Sequence, residues 1–124
     1  MADEQTGLRD VDLDDLCARW PGATRSIKWE VDLVYSVAGK MFAVLSTLGP
    51  DRGRLSFRVE PESFVELREQ PGMAPAPYAA NPFWISVTEP ERFSQAELAG
   101  FVRGSYELVR ASLPQKTQDA LDAS

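Results

Sequence analysis

The stretch from Trp29 to Ser46 constrains the fold more than any other part of the chain. Two runs rich in β-branched and aromatic residues, Asp32–Val37 and Met41–Ser46, flank the breaker Ala38-Gly39-Lys40. That pattern predicts a β-hairpin with a tight turn. A two-residue turn at Ala38-Gly39 sets Tyr35 opposite Phe42 and Leu33 opposite Val44, with Gly39 supplying the positive φ that such turns require. Cross-strand pairs of this kind stabilise a sheet by roughly 0.2–1 kcal/mol each. Both faces of the two runs are apolar, so the hairpin is expected at the centre of a sheet with helices over one side.

The segments around it supply those helices and further strands. Leu13, Leu16, Cys17 and Trp20 recur at helical spacing and predict a helix from about Val11 to Trp20, with Asp10 or Asp12 as its cap. Pro21-Gly22 ends it. Arg25–Trp29 reads as a short first strand. After the turn-rich Gly49–Gly53, the run Arg54–Val59 alternates, with Leu55, Phe57 and Val59 toward the core and Arg54, Ser56 and Arg58 away from it. Pro61 to about Glu69 reads as a second helix, and Met73–Pro82 as an ordered proline-rich connector. Phe83–Val87 reads as the last strand. Ser94 and Glu97 form a capping-box pattern that opens the longest helix, Gln95 to about Leu113, with Leu98, Phe101, Val102, Ser105, Leu108 and Val109 as its buried stripe. Pro114 begins a short terminal helical turn.

One helix ends in Trp20-Pro21-Gly22 and another in Gln70-Pro71-Gly72, each followed by a Trp-bearing extended segment at Trp29 and Trp84. This suggests two related helix–Pro-Gly–strand units sharing one sheet. The expected architecture is a single α+β domain spanning residues 1–124, an antiparallel sheet packed against helices, with a long C-terminal helix. Flexibility is expected only at the ends, 1–8 and 122–124.

Composition narrows the chemistry. Histidine is absent and Cys17 is the only cysteine. Imidazole bases, His-bearing zinc sites, intramolecular disulfides and thiolate clusters are therefore excluded. Cys17 itself reads as a small buried hydrophobe, since no cation nearby would activate it. Glu30 and Asp32 share a strand face but read as solvated charges rather than a metal or general-base pair. No phosphate-binding glycine motif is present. These readings predict a protein without catalytic residues, metal or cofactor. No apolar run reaches the ~20 residues of a membrane span, and the acidic N-terminus does not resemble a signal peptide, so a cytoplasmic, membrane-free protein is expected.

Two sets of side chains could serve binding. Arg25, Lys28, Lys40, Arg52, Arg54 and Arg58 concentrate in the strand half, where a basic sheet face and hairpin tips could contact DNA phosphates. The net charge of −6 weighs against that, and an ordinary solvated sheet face is the competing reading. Pro77, Tyr78, Asn81 and Trp84, in the segment Pro75–Trp84, could instead line a groove for a small ligand or a protein partner.

The chain resembles the MmcQ/YjbR-like family of small bacterial proteins. The likeness rests on Pro21-Gly22-Ala23-Thr24, Val37-Ala38-Gly39-Lys40-Met41-Phe42-Ala43, and Leu55-Ser56-Phe57-Arg58 with Pro61-Glu62. It continues through Pro71-Gly72, Pro75-Ala76-Pro77-Tyr78, Trp84, Ser105–Val109 and Leu113-Pro114, nearly the whole chain after the first helix. The resemblance implies an α+β fold related to the frataxin-like arrangement, and a predicted DNA-binding role through a so-called double-wing motif. Relatives commonly carry a basic stretch and a His before the Trp. Here residues 79–83 read Ala-Ala-Asn-Pro-Phe, so that contact does not carry over, whereas Lys40 at the hairpin tip does.

Overall fold

The computed structural model describes residues 7–28, 32–47, 53–76 and 83–122. Among them, the elements run α1 (Asp10–Cys17), β1 (Ala23–Lys28), β2 (Asp32–Val37), β3 (Lys40–Ser46), β4 (Leu55–Arg58), α2 (Pro61–Leu67), β5 (Met73–Pro75), β6 (Trp84–Val87), α3 (Gln95–Ala111) and α4 (Gln115–Asp122). The strands form one antiparallel sheet in the order β1-β2-β3-β4-β6-β5. The hairpin strands β2 and β3 are interior, as their two apolar faces require. The connector begins as an edge strand: Met73–Pro75 pairs with β6, and an edge is where a strand tolerates proline.

The turn at Ala38-Gly39 is two residues long, with Val37 paired to Lys40 and both turn residues at positive φ (50° and 81°). Beyond it the register departs from the expected pairing. Tyr35 lies opposite Ala43 and Leu33 opposite Leu45, because Phe42 is an extra residue on β3 between the Ser36–Met41 and Tyr35–Ala43 pairs. This β-bulge breaks the alternation and sends both Phe42 and Ala43 into the core beneath the helices. Phe42 packs there against Trp20 and Tyr106, with ring centroids 6.0 and 5.4 Å away.

The two helix–Pro-Gly–strand units are present and occupy opposite edges of the sheet. In each, the residue after the glycine donates its N–H back three residues, Ala23 to the Trp20 carbonyl and Met73 to the Gln70 carbonyl, at 3.2 and 3.0 Å. Gly22 and Gly72 both sit at positive φ (73° and 87°). Gly22 is doubly constrained, since a Cβ there would collide with the Leu121 side chain of α4.

All four helices pack on the same face of the sheet, over a core that includes Leu13, Phe57, Leu98 and Val102. The Ser94–Glu97 capping box opens α3, with Glu97 N–H donating to Ser94 Oγ at 3.1 Å and Ser94 N–H to Glu97 Oε1 at 3.2 Å. At α1 the start differs from expectation. Arg9 holds the N-cap position, and Asp12 acts from inside the first turn by accepting the Arg9 N–H at 2.9 Å. The segment after Pro114 is a full helix, held by Arg110 to Asp122 and by Gln118 to the Leu113 carbonyl. Leu8 is buried and Gly7 N–H donates to the Phe93 carbonyl, which ties both residues to the domain.

Candidate functional site

The cations expected to form a DNA-contacting face are dispersed. Arg25 lies on the helix side of edge strand β1, where its Nη1 donates to Asp14 Oδ2 at 2.7 Å. The Tyr35 hydroxyl donates to the other oxygen of the same carboxylate at 2.9 Å. Burial, and then this bond to Asp14, hold Tyr35 well above the usual phenol range. Lys40 is exposed at the β2–β3 tip. Arg54 precedes β4 beside Ser46, at the opposite end of β3 from Lys40, about 20 Å away by strand rise. Arg58 pairs with Trp84 across β4 and β6, so its side chain leaves the sheet on the face opposite the helices, as the alternation predicts. The side chain of Lys28 and the whole of Arg52 lie outside the described residues. Arg25, Lys40, Arg54 and Arg58 are thus not brought onto one face.

The second expected site fares similarly. Pro77, Tyr78 and Asn81 lie outside the described residues. Trp84 is 3% exposed and packs with Val34 and Val44 on the sheet face opposite the helices. On that face Ser56 is also buried, its hydroxyl 2.7 Å from that of Ser86. On the outer side of β4, Ser56 is therefore internal, flanked by Val44 and Ser86, while Arg54 and Arg58 at the strand's two ends are half-buried.

The structure instead forms a groove between α2 and α3. α2 rests over β5 and β6, and α3 over β2, β3 and β4, so the two helices diverge. Between them lies a cavity of about 510 Å³ lined by Arg58, Val59, Glu60, Ser63, Leu67, Gly100, Phe101, Gly104, Ser105, Glu107, Leu108 and Ala111. That volume is within the ~300–1,000 Å³ typical of small-molecule sites. Gly100 and Gly104 stand one turn apart on α3, and a Cβ at either would find no described atom within 4 Å. Phe101, stacked on Phe57 at 5.1 Å and 7°, makes an aromatic wall.

Arg58 meets this groove through its backbone. Its backbone N–H donates to Ser105 Oγ at 2.9 Å, which fixes the main chain against α3. Its side chain makes no ion pair among the described residues, and its Nε is withdrawn from solvent with no hydrogen-bond partner. Arg110 Nε is withdrawn from solvent in the same way, and a buried donor left unsatisfied costs about 1–3 kcal/mol. The two nearby carboxylates differ in availability. Glu107 Oε1 is held by Arg103 Nε at 2.8 Å, whereas Glu60 is exposed at the start of α2.

Phe101 and Leu108, expected on the buried stripe of α3, line this groove, and Tyr106 takes a core place beside Val102 and Ser105. Two glycines inside an otherwise strong helix were the available sequence signal, since each costs about 1 kcal/mol relative to alanine. Cys17 is buried, and its thiol is pushed up to about 12 by burial and by the Asp14 carboxylate. Among the described residues no three metal-ligating side chains converge, and no helix is long and apolar enough to cross a membrane.

A single antiparallel sheet with helices on one face and a groove between two of them defines a small α+β domain. The YjbR family model matches residues 18–108, and the chain belongs to that family. Deinococcus radiodurans protein DR2400, with a DUF419 domain, is similar at a TM-score of 0.82 and 24% identity, covering 98% of this chain and 92% of that one. A Pseudomonas syringae protein is similar at a TM-score of 0.64 and 22% identity, covering 82% of this chain and 98% of its own. At these identities the likeness is one of fold. No curated protein matches the chain.

Proposed function

We propose that this YjbR-family protein is a small binding module that carries out no covalent chemistry, and that the α2–α3 groove is its recognition site. The observation that carries the reading is Gly100 and Gly104 facing a cavity of about 510 Å³ in which no described atom occupies the space their side chains would take. Residues that break a local rule without a packing reason are where function is expected. The absence of histidine from the chain supports the non-catalytic part.

The test is a fragment titration followed by amide resonances. Shifts clustered on α2, α3 and the end of β4, and lost in Gly104→Leu, are the expected result. Fragments that map elsewhere, or bind Gly104→Leu unchanged, overturn it.

DNA binding is the weaker reading, because phosphate contacts need cations that converge and those at Lys40 and Arg54 stand at opposite ends of β3. Fluorescence anisotropy with a duplex at ~50 mM salt is expected to show no binding. Salt-sensitive binding abolished by Lys40→Glu would restore the DNA reading.

A further inference from the structure

We infer that two copies of this chain associate edge to edge through β1, in an antiparallel pairing centred on Ser26, so that one sheet runs through both. The inference is independent of the α2–α3 groove. β1 stands at the end of the strand order and has no neighbour on its outer side among the described residues. Thr24, Arg25, Ser26 and Ile27 are all exposed, so the edge is open.

The two edges of the sheet differ. β5 is three residues long and ends in Pro75, the kind of short, proline-bearing edge that resists further pairing. β1 is six residues long, contains no proline and carries Ile27 at 65% exposure. Val37 closes the hairpin with Lys40, so along β2 it is Ser36, Val34 and Asp32 whose backbone groups turn to β1. Arg25 and Ile27 alternate with the partners of those residues and hold their N–H and C=O outward, where a further strand would pair.

The strand is its own complement, which makes the partner a second copy. With a two-fold axis at Ser26, Arg25 faces Ile27 of the second copy and Thr24 faces its Lys28, and no like charges stand opposite each other. The Arg25 stem can lie along that exposed isoleucine while its guanidinium keeps the bond to Asp14 at 2.7 Å. A pairing centred on Arg25 would set two guanidinium groups against each other. One centred on Ile27 would overlap only Ser26–Lys28. An interface of one short strand from each copy falls in the class below ~1,200 Å², so the dimer is weak and concentration-dependent.

Sedimentation equilibrium of the full chain from ~20 µM to ~1 mM is the test, and the mean mass should rise from one chain toward two. Ile27→Lys sets a lysine opposite Arg25 of the second copy at an exposed position, and should keep the chain monomeric with its melting curve unchanged. Val65→Lys, at an exposed site on α2, should associate as the parent chain does. The register is read with cysteines. Ser26 meets its own mate in a non-hydrogen-bonded pair with Cα atoms about 4.5 Å apart, within disulfide reach. Thr24, on the same face, stands about 13 Å along the strand from its mate. Ser26→Cys should therefore oxidise to a linked dimer about tenfold faster than Thr24→Cys, or more.

A chain that stays monomeric at ~1 mM, association untouched by Ile27→Lys, or linkage of Thr24→Cys as fast as that of Ser26→Cys overturns the inference.

Discussion

The Ser105 hydroxyl donates to the Phe42 carbonyl at 2.6 Å from within a helix, and so completes a sheet. The β3–β4 ladder ends at Ala43–Phe57, and the next rung would join Phe42 to Arg58. At the bulge the two strands do not pair directly. Ser105 bridges them instead, accepting the Arg58 N–H while donating to Phe42. Because Ser105 is fully buried, no water can take its place without disturbing α3.

Ser105→Ala should therefore leave two buried backbone groups unpaired and cost about 2–3 kcal/mol. Urea unfolding is the measurement, with the denaturant slope unchanged. A loss under about 0.5 kcal/mol would mean that β3 and β4 can close the gap themselves.

This bridge also marks how far the sequence could be read. Helical spacing put Ser105 on the buried stripe, and β-alternation put the hairpin at the sheet centre. Both readings depend on local periodicity, which the structure keeps. The bulge at Phe42 obeys no local rule: it exists because Phe42 reaches Trp20 and Tyr106, residues far away in sequence. The same limit applies to the candidate site. Arg58 alternates with Phe57 and faces away from the helices beside Trp84 as expected, yet its backbone N–H reaches Ser105 at the rim of the groove left by the divergence of α2 and α3. That divergence depends on where each helix lies on the sheet, which residue spacing does not encode. The glycines at 100 and 104 were visible, but their meaning required the neighbouring helix.

The hairpin turn offers a stabilising change. Ala38 occupies the left-handed region at φ 50°, a conformation that costs an ordinary L-residue roughly 1–2 kcal/mol. Asparagine tolerates it better and is favoured in this turn type. Ala38→Asn should raise the unfolding free energy by about 0.5–1 kcal/mol without changing the amide spectrum away from the tip. A decrease would indicate that the Ala38 methyl makes a contact that outweighs the strain.

Two glycines should respond to alanine in opposite ways. At Gly104 the conformation is helical and a Cβ meets no described atom within 4 Å, so Gly104→Ala should stabilise the protein by about 0.5–1 kcal/mol. At Gly22 the backbone has φ 73° and Leu121 occupies the Cβ position, so Gly22→Ala should destabilise by about 2 kcal/mol or more. Thermal melts of the pair check both. If α4 is merely displaced in Gly22→Ala, the resonances of Gln115–Asp122 will lose their dispersion while the sheet keeps its own.

Stability should also fall at alkaline pH, for a reason specific to Cys17 and Tyr35. The buried Cys17 thiol has its pKa raised from 9.0 to about 12, and Tyr35 is raised from 10.0, first by burial and then by its bond to Asp14. A raised pKa means that the folded state favours the protonated form. The stabilising contribution is complete below the unfolded value and is lost as pH climbs toward the folded one. Unfolding free energy should therefore carry no pH dependence from these groups near neutrality. It should decline from about pH 9, with Tyr35 adding to the slope above about pH 10. Cys17→Ala should flatten the first part of that decline, although the smaller side chain lowers stability at every pH. The same burial predicts that a thiol reagent at about pH 8 modifies the native protein no faster than it opens, while the urea-unfolded chain reacts at once. Rapid labelling of the native protein would show that α1 opens locally and exposes Cys17 without global unfolding.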